Sequence, residues 1–72
     1  MTNEQLEKYS FVSHELRLLI QKIDRDITDV SYSVTSSCEE IAEITWRNGY
    51  KRKVIVTADS LKGIVWDVLR HI

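Results

Sequence analysis

The pair Asn48-Gly49, set between two stretches of alternating polar and apolar residues, constrains this chain more than any other feature. Asn-Gly flanked by such alternation is the strongest short signal for a β-hairpin. Before it, Ala42, Ile44 and Trp46 alternate with Glu43, Thr45 and Arg47. After it, a strand runs from Tyr50 to Thr57 with Val54 and Val56 on its apolar side. Parity then selects the turn. A loop of Asn48-Gly49 alone would set Ile44 beside Lys53 and Glu43 beside Val54, mixing both faces, because a slip of one residue moves every side chain to the other side. A loop of Arg47-Asn48-Gly49 sets Trp46 opposite Tyr50, Ala42 opposite Val54 and Glu43 opposite Lys53, and makes Ile41 and Ile55 neighbours. The pattern predicts a type I turn with Gly49 left-handed as a G1 bulge, and a cross-strand Glu43–Lys53 pair.

The remaining elements follow from periodicity. Thr2 and Gln5 have capping-box spacing, and Leu6, Tyr9, Val12, Leu16, Leu19, Ile20 and Ile23 recur at three- and four-residue steps. They predict a helix from about Asn3 to about Asp24 with these residues on its buried face. After Asp26 the period changes to two. Val30, Tyr32 and Val34 alternate with Asp29, Ser31 and Ser33, a half-buried strand, and Ser36-Ser37-Cys38 forms a loop. A last helix starts near Thr57 or Asp59, either of which can cap it, and buries Leu61, Ile64, Val65, Val68, Leu69 and Ile72. Residues 1–72 therefore read as one α+β domain, a two-layer αβββα sandwich with both helices on one face of a three-stranded antiparallel meander. With a single cysteine in 72 residues, no internal disulfide is possible and the core must hold the fold. No apolar run approaches the ~20 residues of a membrane span, and no signal-peptide core is visible, so a cytoplasmic location without membrane attachment is expected.

Side chains that the core stripes do not need mark the surfaces available for function. Phe11 and Leu18 stack on one line of the first helix, with His14 beside them. On the last helix Trp66 lies roughly 120° from the centre of the apolar face, flanked by Lys62 and Arg70, and Gly63 shares that outer side. Exposed apolar side chains of this kind point to a protein partner or to a homodimer. The open face of the sheet is expected to carry Ser31, Ser33, Glu43, Thr45, Lys51 and Lys53 around Ile41 and Ile55.

Chemistry finds few candidates. His14 and His71 lack a histidine partner one helical turn away, Cys38 precedes the carboxylates Glu39 and Glu40, and Asp24, Asp26 and Asp29 lack the glycine and distal glutamate of an EF-hand loop. Gly49 and Gly63 are isolated, so no phosphate-binding loop is present, and a fold this small leaves little room for a pocket of several hundred Å³. Neither catalysis, a cofactor nor a metal is expected. Nucleic acid is the other class to weigh, because Arg47, Lys51, Arg52 and Lys53 gather at the hairpin beside Trp46 and Tyr50. Alternation sends Lys51 and Lys53 to the open face and Arg52 to the core side. A net charge of −1 from 10 basic and 11 acidic residues gives no bulk attraction to a polyanion.

The element order is similar to that of the double-stranded-RNA-binding domain. That resemblance implies RNA contacts from the first helix, the first hairpin loop and a lysine-rich start of the last helix. Here the start reads Ala58-Asp59-Ser60-Leu61-Lys62, with one lysine, and the loop is Ser36-Ser37-Cys38. A second resemblance covers the C-terminal half. Ile44-Thr45-Trp46-Arg47-Asn48-Gly49-Tyr50, with Val54-Ile55-Val56-Thr57-Ala58-Asp59-Ser60-Leu61, resembles small phage and prophage orphan proteins of Gram-positive bacteria, some of them anti-CRISPR inhibitors. That resemblance implies a non-enzymatic binding protein. The expected function is a small protein-binding module, most concretely a stoichiometric inhibitor of a host or phage-defence protein. A nucleic-acid-binding module using the hairpin and a structural homodimer are the alternatives.

Overall fold

A computed structural model describes residues 1–72. The N-terminal helix is one rod in three segments: α1 (Asn3–Ser10), a π-helical segment (Phe11–Leu16) and α2 (Arg17–Ile23). Its capping box forms as the sequence predicts: Gln5 N–H donates to Thr2 Oγ1 at 3.1 Å, and Thr2 N–H donates to Gln5 Oε1 at 2.9 Å. Three strands follow, β1 (Ile27–Val34), β2 (Glu40–Trp46) and β3 (Lys51–Ile55), then α3 (Leu61–Leu69). The sheet is an antiparallel meander in the order β1-β2-β3. Both helices and the sheet share one core, formed by Val12, Leu16, Ile20, Ile27, Val30, Tyr32, Ala42, Ile44, Val54, Val56, Ile64 and Val68. No helix is long and apolar enough to cross a membrane.

The hairpin takes the register that parity requires. Ala42 faces Val54, Glu43 faces Lys53 and Ile41 faces Ile55. Trp46 N–H donates to Tyr50 O at 2.8 Å, Gly49 N–H donates to Trp46 O at 2.9 Å, and Gly49 sits at φ +90°. Asn48 Oδ1 accepts from Tyr50 N–H at 3.0 Å, which holds the chain in the bulge. The ion pair differs from the expected one: Glu43 reaches diagonally to Lys51 at 3.9 Å and leaves Lys53 without a partner.

The helix face is where structure and periodicity part. Only Val12, Leu16 and Ile20 of the expected stripe are buried, joined by Lys8, while Leu6, Tyr9, Leu19 and Ile23 are exposed. The cause is the π segment, in which Arg17 N–H donates five residues back to Val12 O. Four residues of α-helix turn about 400°, so an i, i+4 series drifts about 40° at each step. The wider π turns undo that drift. Lys8, Val12, Leu16 and Ile20 therefore stay on one line toward the sheet, where a uniform helix would have carried them off it.

Two further departures have local causes. Ile27 is buried although it breaks the alternation of Val30 and Tyr32, because the β1–β2 register shifts between Ile27 and Asp29. The bulge at Thr28 returns both sides of it to the core face. The last helix is capped by Ser60, whose Oγ accepts from Gly63 N–H at 3.1 Å, and not by Thr57 or Asp59. Thr57 Oγ1 instead accepts from Glu40 N–H at 2.9 Å. On α3, Ile64 and Val68 are buried, Leu61, Val65 and Leu69 are half-buried, and Ile72 remains exposed.

An added Cβ at Gly49 meets nothing within 4 Å, so Gly49→Ala carries the backbone cost alone. The variant should lose about 1 kcal/mol of stability. A denaturant melt coincident with the parent's would contradict the left-handed bulge.

Candidate functional site

The residues singled out as a contact surface divide once placed. Trp66 is 57% exposed and Leu18 54%, both directed away from the sheet. His14 is exposed, its Nδ1 lying 2.9 Å from Ser10 O, and Lys62 and Arg70 are exposed, with Arg70 Nη2 3.3 Å from Asp67 Oδ1. Phe11 does not belong with them: it is half-buried and packs against the core. The π segment rotates it inward from the line that 100° steps assign. Gly63 does not face solvent either. The Asp59 side chain lies over it, and an added Cβ would approach Asp59 Cβ and Cγ at 3.2 Å. The glycine makes room for a neighbour within the fold.

The basic hairpin is dispersed. Arg47 Nη2 donates to Arg25 O at 2.9 Å, Lys51 pairs with Glu43, and Arg52 and Lys53 are exposed without ion-pair partners. The Trp46 and Tyr50 rings lean on each other at 5.3 Å; Trp46 packs at the core margin, while Tyr50 is 56% exposed. Asp24 serves the helix-to-strand turn, its Oδ1 accepting from Asp26 N–H at 2.9 Å. No group of three or more His, Cys, Asp or Glu side chains is placed to hold a metal ion, and the thiol of Cys38 is free and exposed. The surface has more relief than the chain length suggests, with open hollows of about 340, 460 and 410 Å³. Glu7, Ser10, Phe11, His14, Glu15 and Leu61 line the last of these, between the N-terminal helix and the start of α3.

The most unusual chemistry lies inside and involves residues that periodicity does not flag. Lys8 Nζ and Glu40 Oε1 form an ion pair at 2.8 Å with side chains only 5% and 9% exposed. Tyr32 Oη donates to the same oxygen at 2.7 Å, and Ala58 N–H donates to Glu40 Oε2 at 3.3 Å. These donors, Lys8 first and Tyr32 second, hold the Glu40 carboxyl below its ordinary pKa despite burial. Burial and the adjacent carboxylate raise the Tyr32 hydroxyl well above its ordinary value. Beside this group, Asp59 is pushed up to about 6, chiefly by its hydrogen bond with Asp67 and then by desolvation, with Lys8 opposing and Glu40 adding to the rise. Its Oδ2 is buried without a hydrogen-bond partner, which also disfavours the charged form.

No protein-family model, curated protein or solved structure matches the chain.

Two outcomes follow from the buried group. Removing one partner of a buried ion pair strands the other charge, so Lys8→Met or Glu40→Gln should each cost about 3–5 kcal/mol. Replacing both Lys8 and Glu40 by Met should cost less than either single change, and chemical denaturation of the three variants checks this. The second outcome concerns pH. Asp59 binds its proton more tightly folded than unfolded, so its contribution to stability is present at low pH and is lost as pH rises through about 6. Glu40 acts in the opposite sense: its contribution is present above the ordinary carboxylate range and is lost as pH falls toward its lowered folded value. The melting midpoint should therefore be higher at a pH of about 5 than at about 7.5. Asp59→Asn should remove most of that difference, and an unchanged pH profile would contradict the raised Asp59 value.

Proposed function

We propose that this chain is a small, non-catalytic protein-binding module that acts through the outward side of its helix layer. The observation that carries this reading is the exposure of Trp66 and Leu18, with Leu6, Leu19 and Ile23 also left uncovered on the N-terminal rod. None of these side chains is needed by the shared core, and large apolar groups left in water on a small protein are the usual mark of a contact surface. Lys62 and Arg70 flank Trp66, giving the polar border typical of such surfaces. A stoichiometric inhibitor of a host or phage-defence protein, of the anti-CRISPR kind, is the most concrete form of this reading. It draws on the resemblance of the C-terminal half to phage orphan proteins.

Interior polar groups support a binding role over a catalytic one in a specific way. Lys8, Glu40 and Tyr32 satisfy one another, and a reacting group would need to reach a substrate.

Trp66→Ala and Leu18→Ser should each melt within about 0.5 kcal/mol of the parent, because exposed side chains leave no cavity. A partner captured by the parent and then purified should bind it one-to-one in calorimetry. Trp66→Ala should weaken that affinity about thirtyfold, the effect of truncating a central aromatic anchor. Undiminished affinity in both variants would refute the helix-layer surface. Sedimentation of the parent across a concentration series identifies the case in which the partner is a second copy.

A further inference from the structure

The ladder between β2 and β3 leaves one edge of the sheet open in a defined way. Trp46 N–H bonds to Tyr50 O and Val56 N–H bonds to Glu40 O, so Tyr50, Arg52, Val54 and Val56 direct their backbone groups inward to β2. By antiparallel alternation, Lys51, Lys53 and Ile55 direct both N–H and C=O to the outer edge. The side chains of the same three residues stand on the uncovered face, opposite to buried Val54, and Ile55 is 63% exposed. The β2–β3 register runs without a shift, whereas β1, the other edge, is broken by the bulge at Thr28 and carries Asp29.

We propose that the edge of β3 accepts an acidic, extended segment of a partner protein as a fourth strand. Charge selects that occupant. Lys51, Arg52 and Lys53 are consecutive, and of the three only Lys51 is within ion-pairing distance of a carboxylate, Glu43 at 3.9 Å. Opposite charges facing each other across strands stabilise the pair, and like charges oppose it. A second copy docking antiparallel on β3 would set Lys53 against Lys53 if centred there, and Arg52 against Arg52 with Lys51 against Lys53 if centred one residue earlier, so self-pairing is disfavoured. The incoming strand is matched instead by acidic residues opposite Lys51 and Lys53 and an apolar residue opposite Ile55. That apolar residue would extend the Ile41–Ile55 pair on the uncovered face. This surface is a strand edge, separate from the helix layer, so its failure leaves the Trp66 reading standing and the reverse also holds.

The test uses the full chain, isotopically labelled, and a short end-blocked peptide of threonines alternating with one valine and two glutamates in the matching order. Amide exchange at Lys51, Lys53 and Ile55 should slow about tenfold or more on saturation, while Arg52 and Val54, already in the ladder, change little. Lys53→Glu should weaken the acidic peptide about tenfold, and a peptide with lysines in place of the glutamates should then bind that variant better than the parent. Because Lys53 faces Glu43, Lys53→Glu could also loosen the sheet. Lys53→Gln, which puts no like charge opposite Glu43, should weaken the acidic peptide in the same direction. No protection of the three outward amides, or equal binding of acidic and basic peptides to the parent, overturns the proposal. A thymidine oligonucleotide that binds more tightly than the peptide and is lost in both variants overturns it in favour of nucleic acid.

Discussion

The Lys8–Glu40 ion pair is the interaction on which the arrangement of the elements depends. Lys8 comes from α1, and Glu40 opens β2. Tyr32, which donates to Glu40 alongside Lys8, comes from β1, while Ala58, which binds the other carboxylate oxygen, lies in the connection to α3. Glu40's backbone binds that connection too, through Thr57 Oγ1 and Val56 N–H. One side chain and its own peptide unit therefore fasten four parts of the chain at one end of the molecule. A buried pair of this kind need not add stability relative to an apolar contact of the same size. It does make incorrect packing costly, because any arrangement that separates the partners strands a charge in the interior. In a chain without a disulfide, such a device fixes which way the N-terminal rod lies along the sheet. Ala58 at φ +66° shows the local strain the arrangement tolerates, since a left-handed alanine costs about 1–2 kcal/mol.

The π segment and the ion pair belong together. A straight α-helix placing Val12, Leu16 and Ile20 against the sheet would carry Lys8 around the rod and away from Glu40. The underwound segment keeps all four in line. The same winding turns Phe11 inward. It leaves Leu18 outward and exposes Leu19 and Ile23, so it decides which apolar side chains serve the core and which remain exposed.

How much of this the sequence reveals depends on whether the deciding interaction is local. The hairpin register is legible because parity, Asn48-Gly49 and a period of two all act within a dozen residues. Element order and the side-by-side helices follow from periodicity alone. The rod's buried face is misread because 100° steps presuppose uniform winding, and nothing in Phe11–Leu16 announces a π segment. Lys8 and Glu40 are missed because charged residues are assigned outward by habit. A signal exists for each: Lys8 continues the four-residue series of Val12, Leu16 and Ile20, and Glu40 shares the parity of Ala42, Ile44 and Trp46. Thr57 and Asp59 fail as helix caps because distant groups, Glu40 N–H and Asp67, claim their side chains. Gly63 looks idle until Asp59 is placed over it.

A net charge near zero conceals a segregated surface. The basic residues of β3 lie consecutively on an exposed edge, while Glu40 is paired with Lys8 in the interior and Asp67 lies beside Arg70. Acidic side chains counted in the composition therefore do not all offset the cations at long range. Screening sharpens the point, because at physiological salt a charge is felt over about 8 Å and a ligand at the β3 edge senses its neighbours alone. The Lys8–Glu40 group, buried and mutually satisfied, is already committed to the fold, so any recognition by this molecule falls to what it leaves uncovered. Those surfaces are an apolar helix layer and a cationic strand edge, which suit different chemistries.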